Sequence, residues 1–216
     1  MHSFNLKHRQ AQRLLSRVGL TGQKLIGRGS FSAVYAHPDQ TRASVIKITT
    51  DKAGYAYLDE GARCYNLNNS AYFPRVVDYH EELNQELIDD ESEFRVIELE
   101  RLAKGRVSSL EIRLMYAYAS RTFDDLTPLR VTAEDQAWAD KMASKHPEVA
   151  ERVEEFASRL ATFCADYYFR IDGLRGGNSM LRGDQLVLND PVFCATAMKR
   201  VRTRFANDGM HRLYYH

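Results

Sequence analysis

Short apolar runs broken by Gly, Pro and Asp fill the first half of the chain, and long stripes of helical spacing fill the second. From 24 to 50 the runs KLIG, SAVYAHP and SVIKITT are rich in β-branched and aromatic residues, which predicts strands. FPRVVDYH and FRVIELERL bring the number of expected strands to about five, and the acidic stretch ELIDDES between them predicts a solvated hairpin or loop. Residues 5–18 place Leu6, Leu14, Leu15 and Val18 on an imperfect apolar helical face, and residues 52–66 predict a short helix. In the second half, SSLEIRLMYAYAS opens with serines suited to an N-cap, and AEDQAWADKMASK follows Thr132, another good N-cap. The strongest helix is expected over 147–169, with Pro147 in its first turn. Its apolar residues Val149, Val153, Phe156, Leu160, Phe163 and Tyr167 step by fours and threes, one buried stripe. QLVLND then predicts a short buried strand ending at Asp190.

Composition narrows the class. A chain of 216 residues fits one domain or two small lobes sharing a cleft. With 44% apolar and 27% charged residues and a net charge of +1, it reads as a cytoplasmic globule with no bias toward nucleic acid or an anionic membrane. Cys64, Cys164 and Cys194 are scattered and odd in number, which argues against a disulfide framework and against a zinc site. The polar start MHSFNLKHRQ is no signal peptide, and no apolar run reaches the length of a membrane span.

Chemistry-bearing residues stand out against this background. IGRGSFSAVY puts Gly27 and Gly29 at a turn between two strands, where free main-chain N–H groups can lie over phosphates. The strand–turn–helix context of a dinucleotide fingerprint and the GKS or GKT of a Walker loop are both missing. Lys47 interrupts the otherwise apolar strand SVIKIT, and a lysine there either meets an anion or lies on a solvated edge. RIDGLRGGNSM packs Asp172, Arg175, Asn178 and three glycines into one short run. Asn178 and Asp190 are oxygen donors on a glycine-rich loop and at a strand end, a pair that suits Mg²⁺ completed by phosphates and water. Each residue alone also fits a turn or cap. The ordered set is what carries weight.

That order resembles the protein-kinase fold, and more narrowly the serine/threonine protein kinases of short-tailed phages. GSFSAVYAHP resembles their glycine-rich loop, VIKI their strand lysine, DGLRGGN their catalytic loop and NDPVF their magnesium-binding aspartate motif. The resemblance implies an α+β, two-lobed minimal fold: an N-lobe over residues 1–101 with an antiparallel sheet and one helix, and a mainly helical, truncated C-lobe over residues 102–216.

It also implies roles. Gly27, Gly29, Ser30, Phe31 and Val34 would cover ATP, and Lys47 would pair with its α and β phosphates. Glu60, or Asp59 if the helix register differs, would be the ion-pair partner of Lys47. Ile97 would back the adenine pocket, and the backbone from Glu98 to Glu100 would meet the adenine edge. Asn178 and Asp190 would hold Mg²⁺, Asp172 would orient the substrate hydroxyl, and Arg175 would stand in for the catalytic-loop lysine, whose position Leu174 occupies.

The chain departs from the pattern in other ways too. Asp172 lies one residue further from Asn178 than kinases place it, and residues 191–216 leave no room for a full activation segment. Two functions are therefore expected: an ATP- and Mg²⁺-dependent serine/threonine kinase acting on host proteins during infection, or a kinase-fold pseudokinase that binds and inhibits a host factor. A small-molecule phosphotransferase of the same fold is a third reading, for which the short C-lobe offers little room for a substrate pocket. The basic run KRVRTRF (199–205) either recruits acidic substrate or forms a solvated helix face.

Overall fold

The computed structural model describes residues 9–89, 92–106, 108–122, 131–172, 174 and 178–194. Arg175 and the segment 199–205 lie outside the described residues. The fold class is α+β, as the sequence predicts: an antiparallel sheet is built from the N-terminal half and helices dominate the C-terminal half. The described residues form two compact units, one made of those within 9–52, 76–101 and residue 194, the other of those within 53–75 and 102–193.

The first unit is a five-stranded sheet in the order β1-β2-β3-β5-β4, formed by β1 (Leu25–Arg28), β2 (Ser32–Ala36), β3 (Ser44–Thr49), β4 (Val76–Asp78) and β5 (Arg95–Glu100). Every neighbouring pair is antiparallel. Side chains alternate between the faces of a strand, so the register sorts them. Ala33, Tyr35, Ile46, Ile48 and Val96 share one face and form a buried core with Ala11, Leu14 and Leu15 of helix α1 (Arg9–Arg17). Helix α1 stops at Gly19, whose φ of 68° admits the left-handed turn, and Leu20 N donates to Leu15 O at 2.7 Å to close it.

The expectation of a loop over ELIDDES fails up to Asp89, where the chain forms helix α4 (Glu81–Asp89). Its acidic surface hides the cause. Leu83 and Leu87 are one turn apart and pack on the sheet core, while Asn84 is buried between them. Asn84 donates to Val96 O and accepts from Val96 N, at 2.7 and 2.9 Å, so one amide side chain ties the helix to the end of β5. Arg17 of α1 pairs with Glu86 of α4 on the outside.

The second unit is helical. Helices α5 (Ser109–Thr122), α6 (Ala133–Lys145) and α7 (Pro147–Asp166) form its body. Thr132 and Asp135 make a reciprocal capping box that starts α6, as the Thr132 signal predicts. Arg113 of α5 lies over the Trp138 ring of α6 at 3.6 Å. Helix α7 buries Val153, Phe156, Leu160 and Phe163 as the stripe predicts, but it ends at Asp166 and Tyr167 is its C-cap. Tyr168 then takes a φ of 55° and is 90% exposed, which turns the chain out of the helix.

Residues 53–75, expected with the sheet, pack with these helices instead. The reason is aromatic. Tyr57 and Tyr72 are fully buried, Tyr57 meets Phe73 and Phe163, and Tyr72 meets Phe156, with centroids 4.9 to 6.5 Å apart. The single helix expected over 52–66 is broken into α2 (Lys52–Leu58) and α3 (Glu60–Tyr65).

Four short strands complete the unit. β6 (Arg170–Ile171) pairs with β9 (Val192–Phe193), and β7 (Ser179–Arg182) with β8 (Gln185–Leu188). Among the described residues no helix is long and apolar enough to cross a membrane.

The cysteines offer a check on this packing. Cys164 is buried in α7, and burial pushes its thiol up to about 12, whereas Cys64 is exposed on α3. Alkylation requires the thiolate. Iodoacetamide at pH 8 is expected to label Cys64 within minutes and Cys164 only in denaturant, as peptide mass mapping would read. Equal labelling of both in the native protein would contradict the α7 packing.

Candidate functional site

The sheet unit carries one set of the expected residues. Ser30 and Phe31 form the two-residue turn between β1 and β2, closed where Gly29 N donates to Ser32 O at 2.9 Å. Gly27 lies opposite Val34 in the ladder. Neither glycine has a positive φ. A Cβ on Gly27 would meet Val34 at an ordinary 3.6 Å, and one on Gly29 would meet the Ser32 hydroxyl at 3.4 Å. The internal packing of the hairpin therefore tolerates a methyl group at both positions. Bare backbone here suits close approach by something outside the hairpin, as a phosphate chain requires.

Lys47 is opposite Val34 on β2 and Ile97 on β5, so the three share the sheet face turned away from the α1–α4 core. Lys47 is only 2% exposed, which rules out the solvated edge. An ammonium held there is held against a desolvation cost.

Glu98 points to the other face and is 1% exposed. Its carboxylate accepts from Ser44 Oγ at 2.5 Å and from Arg42 Nη1 at 3.1 Å, with His37 Nε2 3.8 Å away. The Glu98 backbone sits in the ladder between Ile46 and Asp78, and Glu100 is paired with Ser44. Asp78, His80 and Glu98 bring ligand atoms within 4.8 Å of one another. That group has the donors of a metal site, but the Arg42 guanidinium already neutralises Glu98, where an incoming cation would have to compete with it.

The helical unit carries the second set. Antiparallel pairing of β6 with β9 puts Asp172, just after β6, beside Pro191, and Asp172 N donates to Pro191 O at 2.7 Å. The β7–β8 hairpin brings Asn178 back to the end of QLVLND. Asn178 O accepts from Asn189 N at 2.9 Å and from Asp190 N at 3.5 Å, and Asn178 Nδ2 donates to Asp172 Oδ2 at 3.1 Å. Asp172, Asn178 and Asp190, separated in sequence, thus form one cluster. With its amide nitrogen on Asp172, Asn178 has an oxygen as its other side-chain donor atom, and Asp190 adds a carboxylate. These hard oxygen donors fit Mg²⁺.

Glu60 and Asp59 both belong to this unit. Glu60 Oε2 accepts from Tyr167 Oη at 2.5 Å, and Asp59 pairs with Arg63 one turn on at 2.6 Å.

Two residues that hold this cluster escape the sequence reading. The Tyr116 hydroxyl of α5 bonds the backbone at Asp172 and Leu174, and Ser179 Oγ donates to Leu174 O at 2.8 Å. Tyr116 sits in an apolar helical stripe, where nothing in its spacing marks it as different from core. Ser179 follows Asn178 directly, and a short hydroxyl beside a glycine-rich loop is the one available signal.

No protein-family model matches the sequence, and no curated protein matches it. Among solved structures, the chain of a ternary complex of streptomycin, ATP and APH(2")-IIa is similar at 14% identity over 88% of this chain and 73% of that one, with a TM-score of 0.31. A likeness that distant leaves the function to the residues themselves.

Proposed function

We propose that this chain is an ATP- and Mg²⁺-dependent kinase that phosphorylates serine or threonine, encoded by a phage and acting on host proteins. The convergence of Asp172, Asn178 and Asp190 is the observation that supports it most, because three motif residues from two separate runs meet through direct hydrogen bonds. The buried Lys47 and the bare glycine turn support it from the sheet unit. Asn178 and Asp190 would hold Mg²⁺, which when bound neutralises phosphate charge. Lys47 would pair with the α and β phosphates, and the Gly29–Phe31 amides would cover the phosphate chain. Asp172 would accept the proton of the substrate hydroxyl. The hydroxyl oxygen bonds the γ-phosphorus, the bond from γ-phosphorus to the bridging oxygen breaks, and ADP leaves.

Nucleotide binding tests the cluster directly. Mg²⁺–ATP at about a hundred times its Kd is expected to stabilise the native state by about 2.7 kcal/mol. Differential scanning fluorimetry should show this as a Tm rise of several degrees, and Asp190→Asn should lose most of it. An undiminished rise in that variant would remove Asp190 from the metal site. A wild type that binds Mg²⁺–ATP but moves no labelled phosphate onto casein, or onto itself, would instead be the inhibitory binding protein.

A further inference from the structure

Asp172 could serve as a base only if the backbone around it were held still, and that backbone includes one residue more than kinases use before Asn178. The described peptide groups on either side of position 173 are all tied down. Asp172 N donates to Pro191 O at 2.7 Å. Asp172 O accepts from Tyr116 Oη at 3.1 Å, and Leu174 N donates to the same hydroxyl at 2.7 Å. Leu174 O accepts from Ser179 Oγ at 2.8 Å, and the Leu174 side chain is 1% exposed. One buried hydroxyl on α5 therefore donates to the peptide before the extra residue and accepts from the peptide after it. A hydroxyl can do both at once, and an apolar residue could do neither.

We infer that Tyr116 is a positioning residue for Asp172: its hydroxyl splints the lengthened loop so that the extra residue does not displace the carboxylate. This rests on the kinase reading and deepens it. Leu174 belongs to the same anchor. A residue whose N–H and C=O both bond the protein interior, and whose side chain is buried, anchors the loop and cannot reach for phosphate. The geometry asks for a hydroxyl at 116 rather than simply a large ring. Tyr118, also buried on α5, supplies a control, since no hydrogen bond joins its hydroxyl to the described part of the loop.

The test compares Tyr116→Phe with Tyr118→Phe and the wild type. Steady-state transfer to casein from Mg²⁺–ATP is expected to show kcat reduced roughly ten- to a hundred-fold in Tyr116→Phe, the scale of a small misplacement of a reacting group. KM for ATP should stay within about twofold, and Tyr118→Phe should match the wild type. A residue that served only stability would lower Tm without this split between kcat and KM. In ¹⁵N-labelled protein, Tyr116→Phe should also speed hydrogen exchange of the Leu174 amide, which loses its acceptor. Unchanged kcat in Tyr116→Phe would overturn the positioning role and leave the kinase reading intact. An unchanged Leu174 exchange rate would overturn the splint itself, whether or not the protein transfers phosphate. A wild type without transfer would overturn the kinase reading and the positioning role together, and the exchange rates would then report only whether the splint exists.

Discussion

Asp172→Ala is expected to cut phosphoryl transfer by about a hundredfold or more, the usual scale of general acid–base help, while ATP affinity stays nearly intact. The split follows from what each group touches. The Asp172 carboxylate accepts from Asn178 Nδ2, but the backbone bonds of residue 172 to Pro191 and Tyr116 do not involve its side chain. Truncation to alanine therefore removes the base and leaves the loop tied. Asp172→Asn keeps the volume and also removes the base, so it should fall by a similar factor. Single-turnover transfer at saturating Mg²⁺–ATP, with ATP Kd from calorimetry, measures both quantities. Transfer within twofold of wild type in either variant would assign the proton to another group. A fall in ATP affinity matching the fall in transfer would instead give Asp172 a binding role.

The residues that meet in the cluster stood out in the sequence because they are of unusual type for their surroundings. Asp172, Asn178 and Asp190 are oxygen-rich side chains in glycine-rich or strand-end contexts, and Lys47 is a charge in an apolar strand. Their support was hidden for the opposite reason. Tyr116 looks like its neighbours Met115 and Tyr118, and the bond from its hydroxyl to Asp172 O spans 56 residues. The sheet was legible from β-branched runs, but the register that sets Lys47 beside Val34 and Ile97 was not. Strands β6 and β9 have two residues each, too few to show a period, although their pairing is what puts Asp172 beside Pro191. Helix α4 was hidden by its carboxylates, since only Leu83, Asn84 and Leu87 face inward. Residues 53–75 were expected with the sheet because the kinase resemblance implies an N-lobe over residues 1–101. The partners that claim them, Phe156 and Phe163, stand on a helix far along the chain.

Lys47→Met is expected to lower transfer about 10²- to 10³-fold, the scale of losing one preorganised charge-stabilising group. Its Tm should move by no more than about 4 °C, the upper end of what 1 kcal/mol does in a chain of this size. The two effects separate because of where Lys47 lies. It is 2% exposed on β3, with Val34 and Ile97 opposite it and Val45 two positions along the same face. Methionine has nearly the length of the lysine stem and is unbranched, so it can follow the same slot beside these residues. It also carries no charge, so the variant separates the charge at this position from the side-chain volume. What methionine cannot supply is a positive charge for the phosphates. Lys47→Arg keeps the charge but is bulkier and forked, so it should recover little transfer if the position demands a compact ammonium. Transfer rates at saturating ATP, read beside scanning calorimetry of each variant, decide the matter. If Lys47→Met unfolds many degrees early and its activity merely tracks the folded fraction, Lys47 holds the sheet together and its place at the phosphates is lost.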